Sequence, residues 1–432
     1  MKRVVILCVW LFSVVAGHAQ LSLDECRRLA RENYPEIRQY DLVHQTEQYN
    51  LSNAARAWIP QLAFSAQATW QTDAPNFPKE LTGMLAQQGL EIPGLRKDQY
   101  KVALELNQTI WDGGKSVADK RIARAEAAEQ KTMTDVDLYE LEGRVDDLYF
   151  GILLLDERIA QTNLTLNLLR SNLEKVRALQ RNGVAMQSDA DVLEAELLSV
   201  GQQLIQFESS CDSYRRMLGI FIGQKVGDRK LQRPSAVQPL SGESARPELA
   251  MFAAKIDRLT AQEKMVKSSS MPRLGFFAQG YYGYPGLDYM QGMMNSDWSW
   301  NAMLGVKLSW NFGAYYTQKN NLDKLRTSRQ QVEVQRDVFL FNMNLQAAQE
   351  NGDIARLRKA IADDDRIVAL RRSVREAAES KLRNGIIDTR DLLSKITDES
   401  TASMARSMRE IELLKAIYEY KHTHYCPVKV DK

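Results

Sequence analysis

LYELEGRVDDLYFGILLLDERIAQTNLTLNLLRSNLEKV, residues 138–176, places Leu138, Leu141, Val145, Leu148, Ile152, Leu155, Ile159, Thr162, Leu166, Leu169, Leu173 and Val176 at spacings that alternate strictly between three and four. Only Thr162 in that series is polar. This is the 3.5-residue period of a helix that packs along another helix. The run sits inside a proline-free stretch, 114–181. As one helix that stretch would extend about 100 Å, several times an ordinary globular helix. Beyond Gly183, the residues Leu193, Leu197, Val200, Leu204, Phe207, Cys211, Tyr214 and Leu218 keep the spacing. A second helix over 188–222 is therefore expected to fold back antiparallel onto the first, with Cys211 in its core.

Working outward, the chain is written twice. Arg181-Asn182-Gly183-Val184 returns as Arg383-Asn384-Gly385-Ile386, and Asp189 and Asp391 each follow six residues after their glycine. Pro60-Gln61-Leu62 returns as Pro272-Arg273-Leu274, and a segment of alternating polarity closes at Gly113 in one half and Gly313 in the other. Repetition of this kind fixes the organisation before any single element is assigned. The first repeat, 20–222, reads as short helices, strands over 61–70 and 101–111, and helices over 114–181 and 188–222. Residues 223–246, rich in Gly, Pro and Ser, make a linker. The second repeat, 247–424, reads as a helix over 247–269, strands over 274–284 and 298–310, and helices over 314–383 and 388–423, with a tail at 425–432. The long helix of the second repeat has a less regular seam, with Phe341, Leu345 and Ala348 followed by Gly352.

In the strands Leu62, Phe64, Ala66, Ala68 and Trp70 alternate with Gln61, Ala63, Ser65, Gln67 and Thr69, and Val102, Leu104 and Leu106 alternate with Glu105 and Asn107. In the second repeat Trp300, Ala302, Leu304, Val306, Leu308 and Trp310 oppose Asn301, Lys307 and Ser309. Period two with one apolar face fits a strand between oil and water, and about ten residues suffice for a tilted membrane crossing. A soluble sandwich alternates as well. Aromatic placement favours the membrane, because Trp70, Tyr282, Tyr284, Trp298, Trp300 and Trp310 gather toward strand ends as interfacial girdles do. In lipid a four-stranded sheet cannot stand open, since its edge peptide groups need partners. Two copies give eight strands and a filled interior; three give twelve and an aqueous lumen. A homotrimer in contact with lipid is the expected assembly.

The first 19 residues read as a secretory signal peptide: Lys2 and Arg3, an apolar run Val4–Val15, then Gly17-His18-Ala19. The 57 basic and 55 acidic residues nearly cancel, which argues against nucleic acid as a partner. Cys26, Cys211 and Cys426 are too few for a disulfide framework. His422, His424 and Cys426 read as a terminal tail, Asp363-Asp364-Asp365 as a solvated helix face, and Gly113-Gly114 as a strand-to-helix hinge. No nucleophile–base pairing stands out. The reading is of a protein that is not an enzyme and has no cofactor and no bound metal.

Taken together, Leu21-Ser22-Leu23-Asp24-Glu25-Cys26, Tyr34-Pro35-Glu36, Trp111-Asp112-Gly113-Gly114 and the paired turns Asn182-Gly183-Val184 and Asn384-Gly385-Ile386 resemble the TolC family of outer-membrane efflux proteins, over essentially the whole mature chain. That resemblance implies a mostly helical fold with a transmembrane β-barrel: a 12-stranded barrel in the trimer, continued by a 12-helix periplasmic tunnel. It implies a place in the outer membrane of a Gram-negative bacterium and partnership with a periplasmic adaptor and an inner-membrane pump, of the RND or ABC type. The hairpin tips, Asn182, Gly183, Val184 and Ala185 with Asn384, Gly385, Ile386 and Ile387, correspond to the adaptor-contact end. Asp391 corresponds to an acidic ring at the tunnel entrance and Asp189 to a polar network that keeps it shut. Both acids also suit the first turn of a helix, whose positive end they stabilise. The sequence departs from the family pattern at Leu382, Ile387 and Ser394, where a tyrosine, an arginine and an acid are expected. Arg383 or Arg390 is left to hold a closed state. The expected function is a passive exit duct for small molecules or polypeptides, in efflux or type I secretion. A periplasmic coiled-coil scaffold with a soluble β cap is the alternative.

Overall fold

A computed structural model describes residues 20–89, 92–235 and 245–424. The signal-peptide reading, the 425–432 tail with Cys426, and the middle of the 223–246 linker lie outside them. The chain divides into two units: one contains residues up to Tyr40, Thr132–Met251 and the chain from Arg336, the other Asp41–Lys131 and Phe252–Gln335.

The second unit is built on one antiparallel sheet in the order β1 (Gln61–Trp70), β2 (Asp98–Trp111), β3 (Arg273–Tyr284), β4 (Ser299–Ser309). β2 begins before the expected 101, because Asp98 and Gln99 pair with Trp70 and Thr69 at the end of the first ladder. Two short helices in the strand-connecting loops, α3 (Lys79–Gln87) and α7 (Tyr289–Met294), carry too little periodicity to show in sequence. Gly113 and Gly114 both have positive φ, 71° and 84°, and turn β2 into a helix. Asp112 fixes the turn by accepting from the amides of Gly114 (2.9 Å) and Ser116 (2.7 Å). Burial opposes ionisation of this carboxyl, but those hydrogen bonds outweigh it and hold its pKa below the usual range.

The first unit is helical, and the helical residues 41–56, 115–131, 252–269 and 314–335 belong to the second. α1 (Leu23–Asn33), a single 3-10 turn at Pro35–Arg38 and α2 (Gln39–Arg56) precede the sheet. The long elements are α4 (Lys115–Arg181), α5 (Gln187–Ile222), α8 (Ala314–Arg383) and α9 (Thr389–Thr423), with α6 (Pro247–Ser269) opening the second repeat. The 138–176 seam is the core. Leu138, Leu141, Val145, Ile152, Leu169 and Val176 are at most 1% exposed, and from α5 Leu193, Cys211 and Leu218 are buried. Cys26 of α1 is fully buried in the same cluster, and burial pushes its thiol pKa up to about 12, so it is inert. Among the described residues, no helix is long and apolar enough to cross a membrane.

Three expectations need correction. In this stretch of α8 the buried residues are Met343, Ala347, Ile354 and Leu357, whereas Phe341 and Leu345 point outward. The true seam keeps the spacing 343, 347, 350, 354, 357, but its middle position is Glu350, which takes hydrogen bonds from Gln346 and Thr423 and hides the pattern. Asp364 does not lie on a solvated face: it is 5% exposed and receives Arg409, while Asp365 pairs with Arg406 at 2.7 Å. His422 does not belong to a tail, since it lies within α9 and stacks on Tyr139 of α4.

Candidate channel wall and hairpin tips

The ladder registers separate the sheet into two chemically distinct faces. Leu62, Leu106, Ala278 and Leu304 form one transverse row; Phe64, Leu104, Gly280 and Ala302 form the next; Ala66, Val102, Tyr282 and Trp300 follow. No charged residue interrupts these rows. On the opposite face the rows are Ala63, Glu105, Gln279 and Met303; Ser65, Ala103, Tyr281 and Asn301; and Gln67, Lys101, Gly283 and Ser299. There Lys101 Nζ donates to Gln279 Oε1 at 3.0 Å and lies over the Tyr281 ring, and Gln279 donates to Glu105.

The apolar rows are open to the surroundings in the single chain: Phe64 is 72% exposed, Leu304 75% and Trp300 82%. An apolar patch of that extent needs a cover. β1 and β4 each have one neighbour, so an outer row of peptide groups on each is unpaired among the described residues.

Aromatic side chains bracket the apolar face. Trp298, just before β4, contacts Tyr100 and Tyr282 (5.6 and 5.4 Å between ring centroids), and Tyr282 contacts Trp300 at 4.9 Å. Trp70 is exposed at the same end of the sheet. At the other end Trp310 meets Phe312 at 4.7 Å and donates Nε1–H to the Ser270 carbonyl. Sequence reading missed Trp111, Phe312 and Tyr100, whose proximity to strand ends was the available signal. It also misassigned Tyr284. That side chain is 2% exposed, packs with Ala74 and Leu95, accepts from the Arg96 amide and donates to the Gly292 carbonyl. It pins the loops together and does not face lipid.

In the helical unit the two hairpin turns share one geometry. Gly183 and Gly385 take φ of 78° and 70°, and the amides of Val184 and Ile386 each reach back to the carbonyls of Leu179 and Lys381 at 2.9 Å. This is the Schellman closure that a left-handed glycine permits. Asn182, Val184, Asn384 and Ile386 are exposed; Ala185 and Ile387 are half-buried and pack, with Leu382, on the cluster of Leu193, Leu392 and Ile396. The next helices start differently. Asp189 accepts from the Met186 amide at 2.8 Å, whereas at α9 the cap is Asp388, which accepts from the Asp391 amide at 2.8 Å. The Asp391 carboxylate is exposed, as are Arg383 and Arg390.

Above the tips lies a charged cluster that periodicity could not reveal. Arg375 donates to both Glu399 and Glu379, Arg372 reaches Glu399 at 3.2 Å, and Lys175 of α4 approaches Glu379 at 3.5 Å. Higher still, Thr162 is 2% exposed and its hydroxyl has no hydrogen-bond partner among the described residues.

Residues 27–223 match the family model described as outer membrane efflux protein. No curated protein matches the chain in sequence. Among solved structures, the chain is similar to the outer-membrane channel OprN, with a TM-score of 0.69 and 14% identity over 93% of this chain and 89% of that one. It is similar to the outer membrane protein VceC from Vibrio cholerae, with a TM-score of 0.67 and 15% identity over 93% of this chain and 95% of that one. For the CmeC outer membrane channel of Campylobacter jejuni the TM-score is 0.65 and the identity 14%, over 93% of this chain and 85% of that one. At these identities the likeness is one of fold.

Proposed function

We propose that three copies of this chain, whose residues 27–223 match the outer membrane efflux protein model and whose fold is similar to those outer-membrane channels, close into one exit duct of a tripartite pump. The duct is passive. It runs through the outer membrane as a 12-stranded barrel and continues into the periplasm as helices, and an inner-membrane pump of the RND or ABC type drives export through a periplasmic adaptor. No reaction is assigned to the chain.

The observation that carries this reading is the sheet with two edges unpaired among the described residues and an apolar face whose central rows carry no charge. β1 and β4 run in opposite directions, so β4 of one copy can pair antiparallel with β1 of the next and keep the ring antiparallel throughout. Closure satisfies the edges, and lipid covers the apolar face. The exposed residues at both hairpin tips, Asn182, Val184, Asn384 and Ile386, are assigned to adaptor contact, with Ala185, Gly183, Gly385 and Ile387 holding their shape. Asp189, Asp391, Arg383 and Arg390 are assigned to the tunnel entrance. The apolar packing of Leu382 and Ile387 supports an entrance held by hydrophobic contact in addition to charge.

The purified mature protein should sediment in detergent with the mass of three chains. A single chain, monodisperse without detergent, would overturn the duct and revive the soluble scaffold. A photoreactive residue at Ile386 should capture an adaptor in cells; capture that is equally efficient from Arg358, on an exposed face of α8, would remove the tips from that role.

A further inference from the structure

The polar face of the sheet carries charge of uneven sign. By register its charged groups within the strands are Lys101, Glu105, Arg273 and Lys307. Lys101 and Glu105 are joined through Gln279, which accepts from one and donates to the other. Arg273 and Lys307 sit in adjoining rows of neighbouring strands, since Arg273 opposes Ser309 and Lys307 opposes Gly275. Both are exposed, and neither forms an ion pair with a described residue.

Both also open into a hollow of about 700 Å³ on this face, together with Asp112, Lys115 and Asp119 from the β2–α4 junction. The junction charges are already committed. Lys115 holds Asp119 at 2.7 Å, and the two oxygens of Asp112 take the amides of Gly114 and Ser116. Counting both groups, Lys101, Lys115, Arg273 and Lys307 face Glu105, Asp112 and Asp119, so the wall keeps an excess positive charge in each chain. Its two side chains without an ion pair to a described residue, Arg273 and Lys307, are both cations.

We infer that the barrel end of the duct attracts anions, with Arg273 and Lys307 of the three copies forming a cationic ring that receives carboxylate, phosphate or sulfonate groups of exported solutes. This rests on the channel reading, which turns the polar face inward. Charges of one sign on a low-dielectric wall focus their field into the lumen and raise the local concentration of counter-ions. Arginine adds a planar fork matched to two oxygens of an oxyanion, and lysine a second point charge beside it.

Full-length protein in planar bilayers under a KCl gradient provides the test. Arg273→Gln with Lys307→Gln should lower the chloride-to-potassium permeability ratio by about twofold or more, by removal of the field those charges set up. Lys225→Gln, in the exposed loop after α5, should leave it unchanged. Tripolyphosphate added on the barrel side should block the wild-type current, and the double variant should lose that block. Wild-type channels indifferent to tripolyphosphate, or a double variant with the wild-type permeability ratio, would overturn the anion ring while leaving the duct intact. Absence of any conductance from the wild type would remove the duct itself, and the ring with it.

Discussion

His422 lies face to face with Tyr139, ring centroids 4.0 Å apart and planes 5° from parallel, against Gly143, where an added Cβ would come within 3.2 Å of Nε2. Burial lowers its pKa to about 4; the positive charges of Arg246 and Arg27 add to the effect, and Asp147 opposes it. An unfolded histidine titrates near ~6.5. Between about 4 and 6.5 the unfolded chain therefore holds a proton that the folded chain lacks, and stability must rise with pH across that window. The contribution is complete above about 6.5 and lost as pH falls toward 4. His422→Gln should flatten this dependence, read as amide exchange in the helices around Tyr139 from pH 4 to 7; an unaltered slope would assign the acid sensitivity elsewhere. From sequence this histidine reads as part of a tail, because its burial depends on Gly143 of a helix far away in the chain. Gly183 and Gly385 were readable because a tight turn after a helix demands a left-handed residue wherever it occurs. Asp391 falls between. An acid in the first turn was legible, yet in the fold Asp388 makes the cap and leaves the Asp391 carboxylate exposed.

At the scale of the element, α8 is the instructive case because it has two apolar faces. One, through Met343, Ala347, Ile354 and Leu357, is buried within the chain. The other, at Val338, Phe341 and Leu345 and again at Ile367, Leu370 and Val374, repeats the three-and-four spacing yet stays 44–63% exposed. A helix with a second seam needs a second partner. The pattern that reading from sequence placed inside the subunit is therefore left over for a neighbouring copy. α4 was legible over 138–176 because its apolar series there is unbroken apart from Thr162, although Tyr149 and Phe150 are buried off that series, whereas on α8 the overlap of two seams and the intrusion of Glu350 made the period ambiguous. Val338→Asp with Phe341→Asp should leave helix content unchanged and weaken assembly. The side chains lost from burial are worth about 2 kcal/mol each in every interface. Sedimentation in detergent would read this as a trimer-to-monomer shift of tenfold or more. A trimer as robust as the wild type would mean that the stripe faces water.

Over the whole molecule, the two faces of the sheet must meet different solvents, and neighbouring residues of one strand can report which. Leu304 and Met303 are adjacent on β4 and both exposed in the single chain, at 75% and 44%. A soluble cap would treat an arginine at either site alike, since water is available to both. In a closed barrel Leu304 meets hydrocarbon and Met303 meets the lumen. An arginine on the lipid face costs roughly 2–4 kcal/mol near the midplane, and almost nothing on the wet face. Leu304→Arg should thus deplete trimers from the outer-membrane fraction several-fold, while Met303→Arg should assemble at the wild-type level. The alternation that makes this comparison possible was plain in the sequence, because side-chain period and ladder geometry are the same fact about a strand. The pairing register was not, because many offsets preserve the alternation and only the ladder chooses among them. Equal assembly of both variants would mean that no hydrocarbon lies against Leu304, and the apolar rows would then have to be covered by protein.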